Sequence, residues 1–254
     1  MRDSLRNMQA MIELELRRIK HDRTELYTRA VQPVLWLAIY GTIMSRVKAI
    51  PTGGIPYIDY IAPGVLMQSV IMLSIFYGLI MVWERESGIL KKLYVTPASR
   101  YATIIGRSMA AGVRAIFQAL IIIPIALLLG VKFLPNPLYF ALALLIVFFI
   151  SGGFAALSIF MASFMKTRER FMGIGQAIVM PLFFASNALY PIAMMPPIVH
   201  YFAIFNPLSY AVDAVRSLMI SGDSTNLLLD IGAIAVFDAI MFVGASLSFR
   251  KIIE

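Results

Sequence analysis

The chain alternates long apolar stretches with short polar connections, and six of the apolar stretches approach the length that crosses a bilayer. A hydrocarbon core about 30 Å thick requires about 20 predominantly apolar residues in a helix. The pattern predicts six transmembrane helices at about residues 30–47, 57–83, 98–129, 138–164, 171–190 and 227–249. The predicted fold class is therefore an all-α integral membrane protein, with residues 30–254 as its transmembrane domain.

Residues 1–29 have the pattern of an amphipathic helix. Apolar residues recur at steps of three or four and charged residues face away from them. The apolar stripe contains Leu5, Met8, Ile12, Leu16 and Ile19, and the polar face contains Arg6, Glu13, Arg17 and Lys20. Anionic lipid attracts such a helix by about 1 kcal/mol per nearby Lys or Arg. We expect an interfacial helix on the cytoplasmic surface. A helix packed on a soluble partner is the alternative.

A charged island, E-R-E-S-G-I-L-K-K-L-Y-V-T-P-A-S-R at 84–100, separates predicted spans two and three. Its length is too short for a soluble domain. Apolar residues at helical spacing follow Gly88, and Pro97 would stop a helix, so the pattern predicts one short exposed helix. An ordinary polar loop is the alternative interpretation.

The segment between spans five and six, 191–226, is too interrupted by proline for a seventh span and too apolar for a water-exposed loop. Irregular backbone at membrane depth requires surrounding protein or a water-filled cavity. We therefore expect short re-entrant helices separated at Asn206 and Pro207. In the second of them, Asp213 and Arg216 are three residues apart and could form an ion pair.

Composition supports the membrane assignment, and the charge distribution predicts topology. The sequence is 60% hydrophobic and 14% charged, against about 45–50% apolar and 25% charged in soluble domains. Seventeen of the 22 Lys and Arg residues fall on the side that holds both termini. Because positively charged loops stay cytoplasmic, we expect both termini in the cytoplasm. The net charge of +8 then reflects topology, and we expect no nucleic-acid partner.

Two ionisable residues, Arg114 and Asp238, lie near the centres of spans three and six. Such groups cost several kcal/mol in a bilayer and are usually paired or functional. Three interpretations stay open for these two residues: a salt bridge between the helices, a place on a substrate path, or proton coupling by Asp238. The last would suit an ion- or proton-coupled secondary transporter.

Two segments together resemble the type-2 ATP-binding-cassette (ABC) exporter permeases. The island at 84–100 is similar to the family's cytoplasmic-loop signature, and Tyr190-Pro191 with N-P-L-S-Y-A-V-D-A-V-R at 206–216 is similar to its segment before the last span. The resemblance implies two permease subunits, identical or different, above two ATPase subunits. It also implies a coupling helix that docks on the ATPase through Glu84, Arg85, Glu86, Gly88, Leu90, Lys91, Lys92 and Leu93.

The motif inventory indicates transport rather than catalysis. The sequence contains no G-x-x-x-x-G-K-[ST] loop, so we expect ATP and Mg²⁺ on a partner ATPase and no cofactor in this chain. Its two His residues have no triad or metal-ligand spacing, and we expect neither a catalytic nor a metal site. From the resemblance we expect an exporter in the cell membrane that carries a drug, lipid or lipid-linked glycan along spans one, two and five.

Overall fold

A computed structural model describes residues 12–13, 15–17, 19–21, 24–47, 50–88 and 100–249. Throughout this part of the chain the regular secondary structure is helical. The elements in chain order are α1 (Thr24–Leu35), a π-helical segment (Trp36–Gly41), α2 (Thr42–Val47), α3 (Tyr57–Glu86), α4 (Arg100–Leu128), α5 (Pro137–Ala162), α6 (Arg168–Phe184), a 3₁₀ turn (Ile192–Met194), α7 (Pro197–Phe205), α8 (Pro207–Arg216), a second π-helical segment (Ser217–Ser221) and α9 (Leu227–Ser248).

Four helices are long and apolar enough to cross a membrane among the residues described. They are α3, the Thr103–Leu128 part of α4, α5 and α9, which correspond to predicted spans two, three, four and six. Predicted span one falls on α1, the first π-helical segment and α2, and predicted span five falls on α6. The count of six spans stays a prediction.

The C-terminal end of α3 differs from the predicted boundary. The helix continues to Glu86, three residues beyond the expected end. Gly88 then adopts φ +71° and donates its N–H to the carbonyl of Arg85 at 3.1 Å. A glycine in the left-handed conformation commonly ends a helix because it has no Cβ to clash. Gly88 therefore closes α3, whereas the sequence pattern placed it at the start of the following helix.

Predicted span five ends early. Helix α6 stops at Phe184, although the apolar stretch continues to Tyr190. The carbonyls of the following non-helical residues accept hydrogen bonds from tyrosines of α3: Tyr60 Oη donates to Asn187 O at 3.3 Å and Tyr57 Oη to Leu189 O at 2.9 Å. Apolar composition alone could not reveal that side chains on another helix donate hydrogen bonds to these backbone carbonyls.

Helix α5 lies at the centre of the packing and contacts α3, α4 and α9. Its contact with α3 is close because Gly78 of α3 lies directly against the backbone of Ser158, leaving no room for a side chain at position 78. Ser158 Oγ accepts the N–H of Gly78 at 2.9 Å, and Ser74 Oγ lies 2.8 Å from Ser151 Oγ. Small residues at a membrane helix interface allow this approach.

Candidate functional site

Two ion pairs join the C-terminal end of α3 to neighbouring helices. Glu84 Oε2 lies 2.6 Å from Arg107 Nη2 of α4, and both side chains are about five-sixths buried, with 16% and 15% exposed. Glu86 Oε2 lies 2.6 Å from Arg168 Nε of α6, and its other oxygen accepts the backbone N–H of Arg168 at 3.1 Å. The last turn of α3 is thereby connected to both α4 and α6.

These contacts involve part of the predicted coupling set. Glu84, Arg85, Glu86 and Gly88 form the end of α3. The remaining members, Leu90, Lys91, Lys92 and Leu93, lie outside the described residues, so the coupling helix itself stays a prediction. The sequence reasoning missed the partners Arg107 and Arg168, which it used only as positive charges on the cytoplasmic side.

Arg114 and Asp238 do not pair with each other among the described residues. Arg114 Nη1 instead lies 3.3 Å from Glu15 Oε1, with both side chains almost fully buried. Asp238 points from α9 at Gly153 of α5, and its carboxylate occupies the space that a Cβ at position 153 would need. Of the three interpretations left open for these residues, the salt bridge between the helices is not the arrangement that the described residues adopt, because the Asp238 side chain lies against α5 and Arg114 contacts Glu15.

Glu15 is a residue that the sequence reasoning missed. It follows Ile12 by three residues and precedes Ile19 by four, so a carboxylate interrupts the predicted apolar stripe. That interruption was the available signal for a buried partner. On the opposite face Glu13 and Arg17 form an exposed ion pair at 2.6 Å, in agreement with the predicted polar face.

The segment between α6 and α9 contains two short helices, α7 and α8, separated at Asn206. The Asn206 side chain connects the end of α6 to the start of α8. Its Oδ1 accepts the N–H of Leu208 at 3.0 Å, and its Nδ2 donates to the carbonyls of Leu182 and Ala185 at 2.7 and 2.8 Å. Pro207 begins α8, where a missing N–H costs nothing. Entry of these helices into the bilayer stays a prediction.

Arg216 at the end of α8 is the centre of a buried polar cluster. Its guanidinium donates to Asp213 Oδ1 at 3.1 Å, as the spacing of three residues predicts. It also donates to the carbonyls of Tyr60 at 3.2 Å and Asn187 at 2.7 Å. The guanidinium carbon lies 3.8 Å from the centre of the Tyr60 ring. One side chain thus joins α8 to α3 and to the segment after α6.

A groove of about 520 Å³ lies between α1, α3 and α6, the helices that correspond to predicted spans one, two and five. Its polar lining consists of Thr28, Arg29, Gln32, Gln68, Ser69 and Gln176. The Arg29 guanidinium carbon lies 3.9 Å from the centre of the Phe76 ring. Polar groups on helices of this kind usually face a cavity or another subunit rather than lipid.

The described residues contain no group of three or more His, Cys, Asp and Glu side chains arranged to hold a metal ion. Helices that are long and apolar enough to cross a membrane, and close helix contacts at glycine, are features of a helical membrane protein. Residues 6–220 match the family model for the ABC-2 type transporter, and the chain belongs to that family.

Three relatives are 22–26% identical to the chain over the residues that align. The ycf38 protein of Cyanophora paradoxa, whose name describes a transport permease, is 26% identical over 79% of this chain and 69% of its own. The daunorubicin resistance ABC transporter permease protein DrrB1 of Streptomyces coeruleorubidus is 26% identical over 79% and 70%. Nodulation protein J of Rhizobium leguminosarum bv. viciae is 22% identical over 86% and 84%. The resemblance expected from the two sequence motifs is confirmed.

Proposed function

We propose that this chain is the membrane-spanning permease subunit of an ABC exporter that moves an amphiphilic substrate outward. ATP hydrolysis on a separate ATPase, docked on the 84–100 loop, drives the movement. Family membership supports a transport role. The name of one relative refers to daunorubicin resistance, which is consistent with a drug as cargo; a lipid or lipid-linked glycan fits the same apolar surroundings.

The pair of contacts at the end of α3 carries the mechanistic part of the proposal. A displacement of the 84–100 loop reaches α4 through Glu84 and Arg107, and reaches α6 through Glu86 and Arg168. Helix α6 also lines the groove that it shares with α1 and α3. A push on the loop therefore moves α3 and α6 together relative to α1, the remaining wall of the groove, which changes access for a bound substrate.

We infer the assembly from membership of the same family. Two permease subunits, identical or different, sit above two ATPase subunits that hold ATP and Mg²⁺. The complex lies in the cell membrane with six spans per permease and both termini in the cytoplasm. The groove between α1, α3 and α6 forms the substrate path where two permeases meet. Exposed Thr28, Gln32 and Gln176 on that face support this placement, because polar side chains are unfavourable against lipid.

The test uses the full chain purified with its candidate partner ATPase. Deletion of residues 89–93 should abolish co-purification and substrate-stimulated ATP hydrolysis. Glu86→Gln should keep the ATPase bound and reduce the stimulation, because the connection to α6 is weakened. Glu13→Gln is the matched control, since it breaks an exposed ion pair of the same length elsewhere. Unchanged co-purification and stimulation in the deletion variant would refute the coupling assignment.

Asp238 supports a second candidate, an ion- or proton-coupled secondary transporter. Its Oδ1 is buried without a hydrogen-bond partner among the described residues, and an intramembrane carboxylate of this kind is typical of proton relays. In proteoliposomes that lack any ATPase, a pH gradient should then drive transport in the wild type and fail to do so in Asp238→Asn. Absence of gradient-driven transport in the wild type would eliminate this candidate.

A further inference from the structure

A cleft of about 640 Å³ lies between α4, α5 and α9. It shares no helix with the groove between α1, α3 and α6, so it is separate from the proposed substrate path. The described side chains that line the cleft are apolar apart from those of Ser108 and Ser246. Its volume falls within the range of about 300–1,000 Å³ that is typical of ligand sites.

The rim of the cleft is exposed and apolar. It contains Phe149, Val243 and Leu247, all of which are exposed. Val236 and Ile240 continue the exposed apolar surface along α9. On a helix that is long and apolar enough to cross a membrane, such a surface lies against lipid tails. The cleft therefore opens sideways to acyl chains rather than to water.

The two hydroxyl groups lie at one edge of the hydrocarbon region. Helix α9 has 22 residues and α4 has 29, or about 33 and 43 Å at 1.5 Å per residue, against a hydrocarbon core about 30 Å thick. Ser246 lies two residues from the end of α9 and thus at the edge of the core. Arg100 and Arg107 lie in the first eight residues of α4, so the excess length lies at that end and Ser108 is at the edge as well.

The apolar walls continue deeper than the hydroxyl groups. Ser108 and Phe242 both lie beside Gly152 of α5, which places the start of α4 and the end of α9 on the same side. Phe148 packs against Gly112, which is four residues further along α4 than Ser108. A glycerolipid has the same order, since its ester carbonyls lie where the hydrocarbon begins and its acyl chains extend inward.

The Ser108 hydroxyl has no partner within the described part of the protein. The residue is fully buried, and its Oγ makes no hydrogen bond to any described residue. A buried hydroxyl without a partner is unfavourable, and an acceptor on a bound ligand would remove that cost. An ester carbonyl is such an acceptor, and it lies at the depth of Ser108.

We propose that the cleft binds one acyl chain of a glycerophospholipid, whose ester carbonyl accepts a hydrogen bond from Ser108. The chain fills the gap between α4 and α9, which both pack on α5. Because the cleft is separate from the groove, this lipid is a resident ligand and is not the transported substrate. Its assignment to the cytoplasmic leaflet rests on the proposed topology, whereas the site itself does not.

Competition between an ester lipid and an ether lipid tests the hydrogen bond. A phosphatidylcholine with a photoactivatable diazirine on one acyl chain is crosslinked to the purified full chain in maltoside micelles, and the crosslinks should map to α4, α5 and α9. Dipalmitoyl phosphatidylcholine should compete about three- to tenfold better than its dihexadecyl ether analogue, which lacks the ester carbonyls. Equal competition by the two lipids would overturn the proposal.

Ser108→Ala should lose the preference for the ester lipid. Ser45→Ala should keep it, because the Ser45 hydroxyl donates to the Gly41 carbonyl within its own helical run. Since Ser108 Oγ has no partner among the described residues, Ser108→Ala should also leave the stability of the lipid-free protein unchanged. An unchanged ester preference, or a loss of stability without lipid, would contradict the role of Ser108.

Val243→Trp tests the cleft independently of Ser108. Val243 and Val236 are two turns apart on α9 and almost equally exposed, at 59% and 60%, and of the two only Val243 lines the cleft. Val243→Trp should reduce crosslinking severalfold, and Val236→Trp should not. Equal crosslinking of the two variants, or capture of a second copy of the chain at this face, would exclude the lipid site. These measurements use no ATPase, so their outcome does not depend on the proposed export function.

Discussion

Arg216 offers the sharpest test of the contacts that stabilise the segment between α6 and α9. In Arg216→Met the side chain keeps much of its apolar length and loses its donors. The carbonyls of Tyr60 and Asn187 each lose a hydrogen bond to a charged group, at about 1.5–3 kcal/mol each. The contact over the Tyr60 ring adds about 1–2 kcal/mol in a desolvated site. Asp213 is 45% exposed, so its ion pair adds at most about 1 kcal/mol.

The free energy of unfolding should fall by about 4 kcal/mol in Arg216→Met. This value lies at the lower end of the summed contributions because methionine recovers part of the packing. The free energy of unfolding can be measured by titrating the purified protein from maltoside micelles into SDS and following helicity and tryptophan fluorescence. Arg46→Met, a change at an exposed arginine, should lie within about 0.5 kcal/mol of the wild type. A loss below about 1 kcal/mol for Arg216→Met would show that water or lipid replaces the missing donors, and the reasoning from this cluster would fail.

Two further changes test the packing and the ion pairs by the same unfolding measurement. Gly153→Ala should destabilise the protein by about 1–3 kcal/mol because the new methyl group displaces the Asp238 carboxylate. Gly173→Ala, which has open space around it, should not destabilise the protein. Equal effects of the two changes would contradict the close approach of α9 to α5. A double-mutant cycle with Glu84→Gln and Arg107→Gln should give a coupling energy of about 1–2 kcal/mol for this mostly buried pair, and a value near zero would exclude the contact in solution.

The sequence predicted those features of the fold that depend on composition and local spacing. Continuous apolar runs located α3, α4, α5 and α9, because length and hydropathy decide which helices can cross a membrane. Local chemistry located the break at Asn206 and the pairing of Asp213 with Arg216. These predictions required no knowledge of which helices are neighbours.

Features that depend on which helices meet could not be predicted. The pairing of Arg114 with Glu15 joins residues 99 positions apart, and only the position of Glu15 on an apolar stripe indicated a buried partner. After the early end of α6, the hydroxyl groups of Tyr57 and Tyr60 in α3 donate hydrogen bonds to backbone carbonyls of the non-helical residues. The groove required the relative placement of three helices, although each of its polar residues was visible in the sequence.

The π-helical segment Trp36–Gly41 has a consequence for the helical run that begins with α1. A π turn contains one residue more than an α turn, and one residue corresponds to about 100° of rotation. Thr42–Val47 is therefore out of phase with the surface that Thr28 and Gln32 present to the groove. Deletion of a single residue within Trp36–Gly41 would give a continuous α-helix with 3.6 residues per turn, and it would rotate Thr42–Val47 so that these residues face a different neighbour.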